Sequence, residues 1–105
     1  MSKTRLWTLD TAVAFVREHQ PHVMHLGYYI ALGGGVLNKG WSDNDLDLVV
    51  VCRDINSEIS MVTKYFASLL GGEGESCHLD SGYHVSYPNA KVEILYIVKR
   101  WLKNV

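Results

Sequence analysis

Apolar residues recur along this chain with two distinct periods. Leu9, Ala12, Val13 and Val16 return every three to four positions and predict a helix over about residues 9–20. Thr8 is its expected N-cap, Arg17, Glu18 and Gln20 fall on the solvated side, and Pro21 is expected to end it. Ile55, Ile59, Val62, Phe66, Leu69 and Leu70 repeat the pattern and predict a second helix over about residues 58–70, capped by Ser57 and stopped by Gly71 as the C′ residue. Elsewhere the period shortens to two. Residues 26–32, with Tyr28, Tyr29 and Ile30, read as a strand that stops at Gly33-Gly34-Gly35. Residues 45–51 form the next strand: Asp45, Asp47, Val49 and Val51 share one face, and Leu46, Leu48 and Val50 share the other. Both faces turn apolar after Asp47, which predicts a central strand. Residues 77–79 and 83–87 read as a hairpin around Asp80-Ser81-Gly82, Pro88-Asn89 turns the chain, and residues 90–98 make a last strand.

The remaining segments connect these elements. Residues 1–7 are expected to be a loose arm, 38–44 a polar loop, 53–57 a connection and 71–76 a flexible loop. Residues 99–105 are expected to be a helical turn or tail that packs Trp101 and Leu102. Four to five strands and two to three helices amount to one α+β domain over residues 1–105.

Composition narrows the possible functions. The chain has 105 residues, of which 48% are apolar and 20% charged, enough for one modest core. Its net charge of −1 supplies no basic field for bulk nucleic-acid binding. Cys52 and Cys77 have no spacing partner, so neither a disulfide framework nor a zinc site is expected. No apolar run is long enough for a membrane span and the N-terminus lacks a signal-peptide core, so a soluble cytoplasmic protein is expected. His19, His22 and His25 lie close together, but Pro21 interrupts any shared helix face; they read as surface or capping histidines rather than as a zinc cluster.

The chemistry lies in three carboxylates. Asp45 and Asp47 sit two residues apart, which on a strand puts them on one face about 7 Å apart at Cα. Ionised carboxylates at the mouth of an apolar strand are costly unless a cation or hydrogen bonds compensate. Glu93 repeats the anomaly in the middle of the last strand: it reads either as an edge-strand glutamate facing water or paired with a lysine, or as a third carboxylate delivered beside Asp45 and Asp47 from a neighbouring strand. The glycine turn before them lets backbone N–H groups approach an anion closely. Asp43, Asp45 and Asp47 also match the 1-3-5 spacing of an EF-hand, but that loop's sixth and twelfth positions are Leu48 and Asp54, which excludes it.

These residues resemble the nucleotidyltransferase superfamily related to DNA polymerase beta. The family motif is a hydrophobic residue, Gly-Gly or Gly-Ser, a spacer, then Asp-hydrophobic-Asp/Glu-hydrophobic, with a third acid from a separate strand. Here Leu32 leads into the glycines, nine residues separate Gly35 from Asp45-Leu46-Asp47-Leu48, and Val92-Glu93-Ile94 fits the third-acid pattern. Ser42-Asp43-Asn44-Asp45-Leu46-Asp47 is similar to the corresponding run of the minimal nucleotidyltransferases.

The resemblance implies a central mixed sheet flanked by helices and a transfer of NMP, AMP from ATP above all, to a hydroxyl of a protein or RNA acceptor. It implies two Mg²⁺ ions, with Mn²⁺ as a substitute, held by Asp45, Asp47 and Glu93, which are also the catalytic set. Gly34 and Gly35 would hold the triphosphate, with further phosphate contacts from Lys39, Ser42 or Arg53. Glu93 would also help deprotonate the acceptor.

Two departures stand out. Gly35 replaces a serine common in the family, and no helical second domain follows, so a partner, a second copy or a macromolecular acceptor is expected to complete the cleft. Small members of the family pair with helical HEPN-type toxins, some as antitoxins that transfer AMP to the toxin. The competing expectation is therefore a catalytically weak or inactive module of the same fold that acts as an antitoxin or partner-binding protein.

Overall fold

The computed structural model describes residues 7–42, 45–54, 56–80 and 82–97. The elements run β1 (Trp7–Thr8), α1 (Leu9–His25), β2 (Tyr28–Leu32), α2 (Gly34–Lys39), β3 (Trp41–Ser42), β4 (Leu46–Cys52), α3 (Ile59–Leu69), β5 (Glu75–Leu79), β6 (Gly82–Tyr87) and β7 (Val92–Ile97). Five of the strands form one mixed sheet in the order β2-β4-β7-β6-β5, and β1 and β3 pair as a separate two-stranded ribbon. Among the described residues, β4 and β7 run parallel and the other pairs are antiparallel. The expected α+β architecture with a five-stranded sheet is what forms.

β4 and β7 alternate strictly between buried and half-buried residues. Leu46, Leu48, Val50 and Cys52 of β4 and Val92, Ile94 and Tyr96 of β7 are buried, as are Tyr28 and Ile30 of β2. On this face lie α1 and α3, whose Ala12, Val23, Val62 and Phe66 complete the core. Phe66 meets Tyr96 edge to face, and Tyr96 shares a buried 2.7 Å hydroxyl–hydroxyl bond with Tyr87. The opposite face of the sheet carries Asp47, Val49, Val51, Glu93, Leu95 and Ile97, all partly exposed. The expected central strand is thus central in strand order, but only one of its faces is covered, because both long helices pack on the same side.

Several expectations need correction. Pro21 does not end α1; the helix continues to His25 with the proline inside it. Burial of Val23 and a double hydrogen bond from the Gln20 amide to the Ile30 backbone hold this last stretch down, which outweighs the one N–H that proline lacks. His19 is not a surface residue: it is buried and bonds the Tyr65 hydroxyl at 2.7 Å, while His22 stacks on the same ring. Ser57 does not cap α3, whose N-cap is Glu58 with no side-chain bond. The serine hydroxyl is directed instead toward Cys52 and Tyr28.

The polar loop expected from residue 38 starts later, because Gly34–Lys39 is a short helix and Trp41–Ser42 pairs with Trp7–Thr8. Trp7 is accordingly not part of a loose arm; its indole N–H donates to Lys91 O at 3.1 Å. The loop expected over 71–76 ends early, since β5 begins at Glu75. The last strand is shorter than expected, with Ala90 and Lys91 in the preceding turn. Thr8 does cap α1 through a reciprocal bond with Thr11, and Gly71 follows α3 with φ +90° as expected of a C′ residue. The expectations for residues 1–6, 43, 44, 55, 81 and 98–105, among them Ile55 on the buried face of the second helix and Ser81 in the hairpin turn, fall outside the described residues. Among the described residues, no helix is long and apolar enough to cross a membrane.

Candidate functional site

The parallel contact between β4 and β7 places Asp47 directly beside Glu93. Adjacent strands lie about 4.8 Å apart, and residues in register point to the same face, so the two carboxylates are neighbours on the open side of the sheet. Asp45 immediately precedes β4 rather than lying within it. Its carbonyl accepts a 3.0 Å bond from Ser42 Oγ, and the next residue, Leu46, donates its N–H to Lys91 O at 2.9 Å. These bonds fix both strand entrances, so Asp45, Asp47 and Glu93 gather at one mouth of the sheet.

Electrostatics confirm the crowding. The Asp47 carboxyl is pushed above the usual range first by burial and then by the charge of Asp45. Glu93 is pushed up by burial, by a hydrogen bond with the Asp45 side chain and by the charges of Asp45 and Asp47. In both cases the imidazole of His84 pulls the other way. His84 Nε2 stands 3.3 Å from Glu93 Oε1. Sequence reasoning missed this histidine. The alternation of the hairpin put it on a strand, but only the β6–β7 register, with His84 opposite Leu95, brings it to the acids.

The glycine turn meets the same carboxylates. Gly33 N–H donates to Asp47 O at 3.0 Å, and Gly34 adopts φ +61°. A Cβ built on Gly34 would overlap the Asp47 carboxylate, so the position demands glycine twice over, by conformation and by space. Gly35 is different. A Cβ there would sit 3.5 Å from Trp41 O, an ordinary contact, so a serine would fit.

The other expected phosphate contacts separate. Ser42 is buried, with its hydroxyl directed to the Asp45 backbone. Lys39 ends α2 with its ammonium 4.8 Å from the Trp41 ring centroid. Arg53 follows the far end of β4, roughly 20 Å along the strand from Asp47 at about 3.3 Å per residue, which removes it from the site.

Three carboxylates, two of them raised first by burial and then by the neighbouring acids, with His84 beside Glu93, make a donor set suited to a hard divalent cation. Among the described residues, however, no three His, Cys, Asp or Glu side chains converge on one metal-holding point. The chemistry of the donors fits; a closed cage is not formed by the protein alone. No family model matches the chain, and no curated protein matches it either.

Proposed function

We propose that this protein is a metal-dependent nucleotidyltransferase of minimal size, with the nucleotidyltransferase fold, that moves NMP from an NTP such as ATP onto a hydroxyl of a protein or RNA. One observation carries the reading: Asp47 and Glu93 adjoin on parallel strands, Asp45 sits two residues before Asp47 at the same strand entrance, and Gly34 lies against Asp47 with no room for a side chain. An acidic trio beside a glycine turn suits a polyanion that arrives with its cations. Bound Mg²⁺ or Mn²⁺ supplies charge neutralisation for attacking and leaving oxygens.

Asp45, Asp47 and Glu93 would hold the cation oxygens, and the backbone of Gly33-Gly34 would seat the phosphates beside them. The acceptor oxygen bonds to the α-phosphorus, the bond to the β-phosphate oxygen breaks, and pyrophosphate leaves. Glu93 would also take the proton of the acceptor hydroxyl.

Titration calorimetry with the four NTPs, with and without Mg²⁺, tests the site. Binding of one nucleotide that requires metal and disappears in an Asp45→Ala/Asp47→Ala variant is expected. With an acceptor in hand, either single substitution should lower transfer roughly 10²–10³-fold, the scale for removing one preorganised electrostatic group. The unclosed geometry of the acids favours a second reading, a contact module or antitoxin without catalysis. Under that reading the double variant keeps its full biological activity.

A further inference from the structure

The two edges of the sheet are treated differently. Along β2, the residues whose backbone points away from β4 are Tyr28, Ile30 and Leu32, since Gly33 N–H bonds Asp47 O and fixes the parity of the ladder. The middle one is closed: Gln20 Nε2 donates to Ile30 O at 2.9 Å, and Ile30 N–H donates to Gln20 Oε1 at 2.7 Å. A side-chain amide thus takes the place of a neighbouring strand.

The other edge, β5, has no such plug. All five of its residues are exposed, and among the described residues no segment lies along its outer side. Leu79 and Gly82 close a two-residue hairpin and form a hydrogen-bonded pair; by alternation so do Cys77 with His84 and Glu75 with Ser86. The backbone groups of Ser76 and His78 therefore point outward. The ring of Tyr83 meets His78 edge to face at 4.7 Å and steadies that residue.

We propose that β5 pairs antiparallel with β5 of a second copy, about a two-fold axis midway between the two Cys77 residues. This register is the one that overlaps all five strand residues. It sets Ser76 against His78 of the other copy, twice, for four backbone hydrogen bonds. Cys77 then faces its own counterpart at a non-hydrogen-bonded site, where Cα atoms lie about 4.5 Å apart, within the range a disulfide spans. Cys77 is an exposed free thiol, whereas Cys52 is buried. The axis stands perpendicular to the sheet, so both acidic mouths face the same side of one ten-stranded sheet, with their β7 strands about 24 Å apart at five strand spacings. Four hydrogen bonds and a short strand make a weak contact at the small end of interface sizes.

Analytical ultracentrifugation of the reduced full-length protein up to about 500 μM, where a micromolar-range contact populates, should show a monomer–dimer equilibrium. His78→Pro removes an outward donor without touching the β6 ladder and should weaken dimerisation at least about tenfold, with the circular dichroism unchanged. Diamide, which takes up the two thiol hydrogens and is itself reduced to the hydrazine, should link unaltered copies through Cys77 alone, as mapped by peptide mass spectrometry. Monomer at every concentration, a dimer that survives His78→Pro, or a dimer that diamide does not link through Cys77 would each overturn the proposal. If His78→Pro fails to fold, the sedimentation and diamide results on the unaltered protein decide it.

Discussion

Leu48 and Val49 are neighbours on β4, yet they belong to two different surfaces. Leu48 is 1% exposed, under the helices with Val50, Ile94 and Tyr96. Val49 shares the open face with Asp47, Val51, Glu93, Leu95 and Ile97. One set of alternate residues carries the stability of the sheet, and the other carries its charge. The division lets the open face hold repelling carboxylates, because the core a few ångströms away does not depend on them.

The sharpest test is a pair of truncations. Leu48→Ala should lower unfolding free energy by about 2–5 kcal/mol, and Val49→Ala by under about 1 kcal/mol, in urea titrations. Equal effects would mean that the open face is covered too. A smaller effect is expected at the turn. Gly34→Ala should destabilise by about 1–3 kcal/mol and abolish nucleotide binding, because the backbone is left-handed there and the methyl group meets Asp47. Gly35→Ser should leave the melting temperature nearly unchanged and tighten nucleotide binding through the added hydroxyl.

The smallest effect concerns protons. Asp47 and Glu93 have raised pKa values in the folded state, so the folded protein binds protons more tightly than the unfolded chain there. Their ionisation therefore costs stability as pH rises through the folded values, and stability returns as pH falls toward the ordinary carboxylate range, roughly pH 4. Glu93→Gln should raise the melting temperature slightly at neutral pH and flatten its pH dependence, while divalent cations should raise the melting temperature of the unaltered protein only.

Much of this division was legible in the residues. Alternation along residues 45–51 separated the acids from Leu46, Leu48 and Val50, and Glu93 stood out because a carboxylate in an apolar strand needs a reason. The two helices and the hairpin followed from period and turn chemistry. Which face would be covered was not legible, since Val49 and Val51 are as apolar as Val50, and the side on which α1 and α3 pack is decided by tertiary connections. Pro21 misled because the penalty it carries is local, whereas Val23 and Gln20 hold the helix through distant partners. His84 was hidden because its role depends on a register that no single strand specifies.

The Gln20 clamp has a consequence for growth. A sheet that can add strands at both edges is a monomer with two functional ends, and such monomers polymerise without limit. Under the proposed pairing at β5, the Gln20 amide on Ile30 interrupts the opposite edge and leaves this molecule a single open edge. Under that pairing, a second copy joined at β5 closes the assembly as a pair, with Gln20 opposing growth from the β2 edge.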